Sequence, residues 1–183
     1  EMMEVYRTYV IKYFHFQDDV FTVNQQLVRE LCYKLIEVRL RKQEVIRFEW
    51  SCLVRPDQVN RELLWLMKLA GCVQIEVGVE SGSEELLSVA RKRYTKSIIR
   101  QAFEDARWTG IRTYAFFIVG LPGETLETWR QSVEFAKELK PEGSVWTVLT
   151  PYPGTEIYNK IMRGEEKRVE IVDPDWTNWL YKM

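Results

Sequence analysis

Apolar, strand-like runs alternate with amphipathic helix patterns five times along the chain, and each run ends in a polar or Gly/Pro-rich cluster. The runs lie at residues 10–16, 45–54, 73–79, 113–119 and 144–149. Strands that alternate with helices indicate right-handed βαβ units and a parallel sheet. A curved, partial barrel and an open doubly wound sheet both fit five units, which are too few for a closed eight-stranded barrel.

Polar caps mark the starts of the predicted helices. Residues 1–9 are typical of the end of a helix, and the capping-box pattern of Thr22 with Gln25 opens a helix that runs to about Lys42. Gly71 and Gly110 are expected to end two later helices, because glycine commonly follows the last helical turn. We expect the other helix starts at Asp57, at Ser81 with Glu84, at Thr95, at Thr125 and at Thr155.

Composition narrows the class of protein. The chain has 183 residues, is 46% hydrophobic and carries a net charge of −1, which excludes general disorder and gives no broad patch for nucleic acid. No apolar run reaches the length of a transmembrane helix, so we expect a cytoplasmic protein. The predicted domains are a barrel at residues 1–163 and a C-terminal tail at residues 164–183, with Trp176 and Trp179 packing back onto the barrel.

The cysteines and the histidine are predicted to be structural. Cys32, Cys52 and Cys72 fall in a helix, in a strand and just before a strand, so we expect three buried thiols that do not converge on a metal. No C-x-x-C pair is present, and no metal-binding residues are predicted. His15 lies inside an apolar strand run and is predicted to be a core or near-core histidine.

The polar clusters after the strands carry the candidate chemistry. Because ligands bind at the carboxyl ends of parallel strands, all five clusters are expected at one edge of the sheet. Asp18 and Asp19 are two adjacent carboxylates that fit an ammonium or a metal, and Arg55 fits a carboxylate or an internal pair with Asp57. Glu80 leaves its strand where a carboxylate can accept both hydroxyls of a ribose.

The remaining clusters are rich in glycine and proline. Ser81 and Ser83 flank Gly82, which allows a close approach of backbone to ligand, although both serines also fit helix caps. The turns at 120–124 and 150–154 are tight βα turns, and Tyr152 offers a face for stacking. The chain has no P-loop, no G-x-G-x-x-G and no nucleophile elbow, which disfavours an unrelated α/β hydrolase or transferase.

Five strings in register resemble the radical S-adenosylmethionine (SAM) superfamily. They occupy residues 16–22, 55–57, 70–83, 117–125 and 150–155, so the resemblance covers about Val10 to Tyr158. The likeness is greatest to the branch that often follows a cobalamin-binding domain and that includes anaerobic magnesium-protoporphyrin ester cyclase-like proteins. It implies an α/β fold, a partial (β/α)6 TIM-type barrel with a parallel sheet.

The resemblance also implies the ligands and the residues that contact them. In the family, a [4Fe–4S] cluster reduces SAM and releases a 5′-deoxyadenosyl radical that attacks a small-molecule substrate. By position, Asp18 and Asp19 match the region that contacts the methionine amino group, Arg55 lies near the methionine carboxylate, and Glu80 and Ser81 match the ribose region. The stretches that would border the adenine contain Ile118, Gly120, Leu121, Thr150 and Tyr152.

One departure from the family separates two hypotheses. The C-x-x-x-C-x-x-C loop that holds the cluster is absent, so the resemblance implies a fragment whose first strand is missing, with cobalamin supplied, if used, by an upstream domain. The first hypothesis is the SAM-binding core of a radical SAM enzyme, an oxidoreductase or transferase that is inactive as this fragment alone. The alternative is a cluster-free nucleoside-binding module. The edge left by the missing strand is predicted to favour self-association.

Overall fold

The computed structural model describes residues 1–40, 48–166, 170–171 and 181–182, which fall into two compact units, Glu1–Thr147 and Val148–Met183. The helices of the first unit are α1 (Met2–Tyr9), α2 (Gln25–Leu40), α3 (Arg61–Leu69), α4 (Glu84–Val89), α5 (Lys96–Thr109) and α6 (Leu126–Leu139). The strands are β1 (Tyr13–Phe16), β2 (Glu49–Val54), β3 (Cys72–Glu80), β4 (Arg112–Val119) and β5 (Gly143–Val148).

The five strands form one half-barrel sheet whose order follows the sequence. The pairs β1–β2, β2–β3 and β3–β4 are parallel, with His15 opposite Ser51 and Glu76 opposite Tyr114. The predicted parallel α/β sheet and partial barrel are therefore confirmed. The predicted helix end near Lys42 and the strand start at residues 45–47 lie outside the described residues, as do Trp176 and Trp179.

The hydrophobic core lies between the sheet and the helices. On β2 the alternate residues Trp50, Cys52 and Val54 have no exposed surface, and Ile75 and Val77 continue the same layer on β3. Strand side chains alternate between faces, so this pattern leaves the intervening residues on the opposite face of the sheet. That face is polar on β1 to β3.

The starts of α2 and α3 differ from the predictions. Asn24, not Thr22, caps α2 by accepting the Leu27 amide at 3.1 Å, and Asn60, not Asp57, caps α3 by accepting the Leu63 amide at 2.9 Å. The reason is that a 3-10 turn follows each of the first two strands, at Phe21–Val23 and Pro56–Gln58, and delays the helix by a few residues. Thr22 is instead buried and donates to Gln58.

The later caps agree better with the sequence. Ser83, not Ser81, caps α4, because Ser81 is used elsewhere in the interior. Thr95 restarts the helical region as α5, and Thr125 forms a capping box with Thr128 at the start of α6, as predicted for both positions. Gly110 closes α5 in the left-handed conformation with φ of 71°, also as predicted.

The second unit contains α7 (Glu156–Met162), capped by Thr155 as predicted, and two short strands, β6 (Glu170–Ile171) and β7 (Tyr181–Lys182). The two strands pair antiparallel. The sequence of the tail shows no clear period and did not indicate this pairing.

The three cysteines are all buried, as predicted, and lie near one another in the interior. The register places Cys72 opposite Trp50 and hence on the same face of the sheet as Cys52. Burial, with the neighbouring thiols, raises the pKa of Cys32 to about 12 and that of Cys52 well above its usual value.

Candidate functional site

The first four polar clusters follow strands of one parallel sheet. Asp18 comes after β1, Arg55 after β2, Glu80 ends β3, and the 120–124 turn follows β4. Because the first four strands pair in parallel, these residues all stand at carboxyl ends and hence at one edge of the sheet.

Glu80 has the most constrained backbone of the candidate residues. Its φ is 67°, in the left-handed region that a residue with a side chain seldom adopts, and the register of β3 with β4 shifts between Gly78 and Glu80. The carboxylate folds back over Gly78, where an added Cβ would lie 2.9 Å from Glu80 Oε1. Strain of this kind collects at functional sites, which makes Glu80 a candidate functional residue.

Lys92 supplies the partner of Glu80 and was missed by the sequence analysis. Its Nζ lies 2.7 Å from Glu80 Oε1, and the side chains of Lys92 and Glu80 are 28% and 13% exposed. Lys92 stands in the basic segment at 91–93 between α4 and α5, beside a cavity of about 440 Å³. The signal available in the sequence was this run of three cations where the helix breaks, next to a strand-end acid.

Arg55 is paired with Asp57, which is one of the two outcomes that the sequence left open. Two parallel hydrogen bonds, of 2.9 and 2.8 Å, join the guanidinium to the carboxylate. Hydrogen bonding to Arg55 lowers the pKa of Asp57, and the same bonds raise the pKa of Arg55. The positive charge of the Arg55 guanidinium is therefore already neutralised by Asp57 in the same loop.

Tyr94 joins the Arg55 and Glu80 groups into one cluster. Its ring lies 5.5 Å from the Arg55 guanidinium carbon, and its hydroxyl donates to the Gly78 carbonyl at 2.8 Å. Burial, assisted by the Glu80 carboxylate, raises the pKa of Tyr94 above its usual range, so the phenol stays protonated. We call the five residues Arg55, Asp57, Glu80, Lys92 and Tyr94 the edge cluster.

Asp18 and Asp19 lie in the turn after β1 and are both exposed. Within residues 1–40 and 48–166, no ion pair or hydrogen bond reaches either carboxylate. Their charges are thus available to a ligand at this edge, whereas Arg55 and Glu80 each already have one internal partner.

Ser81 and Gly82 serve the packing of the loop after β3. Ser81 is fully buried, with its Oγ 3.2 Å from Ser132 Oγ, and the Gly82 amide donates to Ser132 Oγ at 2.8 Å. A Cβ on Gly82 would lie 2.6 Å from the Ser132 Cα, so the close approach predicted for a ligand is made here by α6. The role of Ser81 at the ribose stays a prediction.

The turn after β4 closes on itself. Gly120 has φ of 91°, and its amide donates to the Glu124 carboxylate at 2.6 Å. Leu121 is buried, and Ile118 is half-buried on the same strand face as Tyr114. The predicted contacts of Ile118, Gly120 and Leu121 with an adenine ring remain predictions.

Thr150 and Tyr152 belong to the second unit. Thr150 donates to the Val148 carbonyl at 3.3 Å, and the Tyr152 carbonyl accepts the Thr155 hydroxyl at 2.6 Å. Tyr152 is 51% exposed. Both residues remain predicted ligand contacts.

The residues present do not fit an iron–sulfur cluster. A [4Fe–4S] cluster needs several converging thiolates, whereas the three cysteines of this chain are buried and two have a raised pKa. Across residues 1–40 and 48–166, no group of three or more cysteine, histidine or acidic side chains is arranged to hold a metal.

The half-barrel has a polar edge at the carboxyl ends of its parallel strands, which is where proteins of this α/β class bind their ligands. Residues 1–136 match the radical SAM superfamily, and the chain belongs to that superfamily. No helix within the described residues is long and apolar enough to cross a membrane.

Two relatives are similar to this chain over nearly its whole length. The chain is 30% identical over 181 residues to an uncharacterized methyltransferase of Pyrococcus horikoshii, covering 95% of this chain and 38% of that protein. It is 29% identical over 175 residues to the anaerobic magnesium-protoporphyrin IX monomethyl ester cyclase of Cereibacter sphaeroides, covering 94% and 27%. The chain therefore spans between about a quarter and two fifths of these relatives.

The fold is similar to that of a radical SAM methyltransferase, TsrM from Kitasatospora setae, solved with cobalamin and a [4Fe–4S] cluster bound. The TM-score is 0.84 at 22% identity, and the match covers 92% of this chain and 32% of that one. At this identity the likeness establishes the fold, and it agrees with the predicted family branch.

Proposed function

We propose that this chain is the SAM-binding barrel segment of a radical SAM enzyme, a transferase or oxidoreductase acting on a small molecule. The observation that carries the proposal is Glu80, held at a strained φ with its carboxylate over Gly78 and its charge matched by Lys92. Superfamily membership supports an enzyme of this kind.

In this proposal the edge residues divide the ligand between them. Glu80 accepts the two ribose hydroxyls, since a carboxylate at a strand end can accept both. Asp18 and Asp19 contact the methionine amino group, because an ammonium suits two carboxylates that no described residue neutralises. Arg55 lies near the methionine carboxylate and reaches it with the N–H groups of its guanidinium that Asp57 does not occupy.

Lys92 adds a second cation to this scheme. The Lys92 ammonium holds the Glu80 carboxylate in place in the free protein. The ammonium keeps two further N–H groups that can donate to a ligand. A ribose that binds Glu80 thus meets a carboxylate that is already oriented, which reduces the ordering cost of binding.

The [4Fe–4S] cluster, which supplies the electron for SAM cleavage in the family, has no ligand set among the described residues. Under the proposal it is held elsewhere in a longer protein, and this chain does not cleave SAM by itself. We also propose that the longer protein uses cobalamin, since a structural neighbour was solved with cobalamin bound.

The alternative, a cluster-free nucleoside-binding module, is favoured by the missing ligand set alone. Calorimetric titration of the chain with SAM and with adenosine separates the two proposals. A SAM-binding segment should bind SAM at least about tenfold more tightly than adenosine, because Asp18, Asp19 and Arg55 contact only the methionine part. Equal affinities would favour the nucleoside module.

A further inference from the structure

Tyr13, His15, Ser51 and Glu76 form a polar chain that the proposed SAM site does not use. They lie on β1, β2 and β3, on the sheet face opposite Trp50, Cys52 and Ile75. His15 pairs with Ser51 in the register of β1 with β2, so both side chains share this face. His15 is exposed rather than in the core, which corrects the prediction from its apolar run.

The hydrogen bonds assign the protons along this chain. The Tyr13 hydroxyl donates to Ser51 Oγ at 2.7 Å, and Ser51 Oγ lies 2.7 Å from His15 Nδ1. Ser51 is fully buried, so its single proton needs an acceptor, and Nδ1 is the acceptor that the described residues provide. In the neutral ring Nδ1 thus accepts, and Nε2 carries the hydrogen.

The Nε2–H group of His15 is left for a ligand. No hydrogen bond within the described part of the chain reaches Nε2, and the His15 side chain is 31% exposed. Glu76 Oε1 lies 3.8 Å from Nδ1, beyond hydrogen-bond distance but near enough to disfavour an anion beside the ring. On β4, Tyr114 stands opposite Glu76 and Phe116 opposite Gly78, adding aromatic surface to the same face.

We propose that this face binds a planar ligand that is not an anion and whose carbonyl oxygen accepts a hydrogen bond from His15 Nε2. The Tyr13–Ser51 chain fixes the tautomer, the Glu76 carboxylate selects against an anionic acceptor, and Tyr114 and Phe116 pack on the planar part. The inference goes beyond the proposed SAM site, because none of these residues belongs to the edge cluster or to the turns at that edge.

The test is NMR of the chain labelled with 15N-histidine, in which His15 gives the only histidine signals. At about pH 8, where an ordinary imidazole is neutral, the long-range proton–nitrogen spectrum should show Nε2 protonated and Nδ1 not. Tyr13→Phe should keep that tautomer, since Ser51 still donates, whereas Ser51→Ala should give a mixture. A ring protonated at Nδ1 in the unmutated chain would overturn the assignment.

The ligand class is tested by titration with benzamide and benzoate, a planar pair that differs in charge. Benzamide should move the His15 Nε2–H resonance, benzoate should bind about fivefold more weakly, and Glu76→Gln should narrow that difference. No shift with benzamide, or tighter binding of benzoate, would overturn the proposal. SAM titration of the same samples reports on the edge cluster separately, so failure of one proposal is distinguishable from failure of the other.

Discussion

Replacing Glu80 by glycine separates the strain of its backbone from the interactions of its carboxylate. At φ of 67° any L-residue pays a cost of roughly 1–2 kcal/mol that glycine avoids. Every substitution that removes the carboxylate also removes the 2.7 Å ion pair with Lys92, which we expect to contribute about 1–3 kcal/mol because both partners are largely shielded. Glu80→Gly should therefore be more stable than Glu80→Ala by about 1 kcal/mol, although both lose the pair.

Urea unfolding followed by circular dichroism measures this difference. With an m-value of about 2 kcal/mol/M, the glycine variant should unfold at a urea concentration about 0.5 M higher than the alanine variant. Glu80→Gln is the matched control, since it keeps the side-chain size and the strain but loses the charge. An alanine variant as stable as the glycine variant would refute the strained conformation and, with it, the main structural argument for the site.

Three further predictions follow from the contacts. Gly82→Ala should destabilise the chain by about 1–3 kcal/mol in thermal melts, since a Cβ would meet the backbone of Gln131, and an unchanged melting temperature would contradict this packing. Arg55 lowers the pKa of Asp57, so the pair stabilises the fold fully above the ordinary Asp pKa of about 3.9, and this stabilisation is lost as pH falls through the lowered pKa. In melts measured over a series of pH values, Asp57→Asn should therefore reduce the loss of stability at acid pH, by less than about 1 kcal/mol. The three thiols should react with a disulfide reagent far more slowly in the native chain than in urea, and iron–sulfide reconstitution should give no stoichiometric cluster; rapid native labelling or a full cluster would contradict their burial.

The alternating pattern of the sequence predicts the order and direction of the strands because burial on one face and right-handed crossovers leave few other arrangements. Thr95 and Thr125 start helices and Gly110 ends one, as predicted. Each acts through a cap hydrogen bond or a backbone conformation that lies within one helical turn. Thr22 and Asp57 do not, because the chain first makes a 3-10 turn after the strand, and nothing in the local composition distinguishes that turn from the first turn of a helix.

The parts of the candidate site that depend on where a residue lies along its strand could be predicted from the sequence. Arg55 and Glu80 meet at one edge because each follows a parallel strand, and Tyr94 lies between them. Lys92 was missed because its contact with Glu80 depends on the path of the loop between α4 and α5. His15 was misjudged because the apolar residues around it face the helices, while the alternation of the strand turns His15 to the opposite face.

The most direct test of the account is calorimetric titration of SAM into the unmutated chain and into Glu80→Gln and Glu62→Gln variants. Glu62 lies on α3, pairs with Arg29 and has a largely exposed side chain, so its variant controls for the loss of one carboxylate. We predict that Glu80→Gln weakens SAM binding by about 1–3 kcal/mol and that Glu62→Gln leaves it unchanged. Equal affinity of all three proteins for SAM, or no binding by any of them, would contradict the claim that this edge is a SAM site.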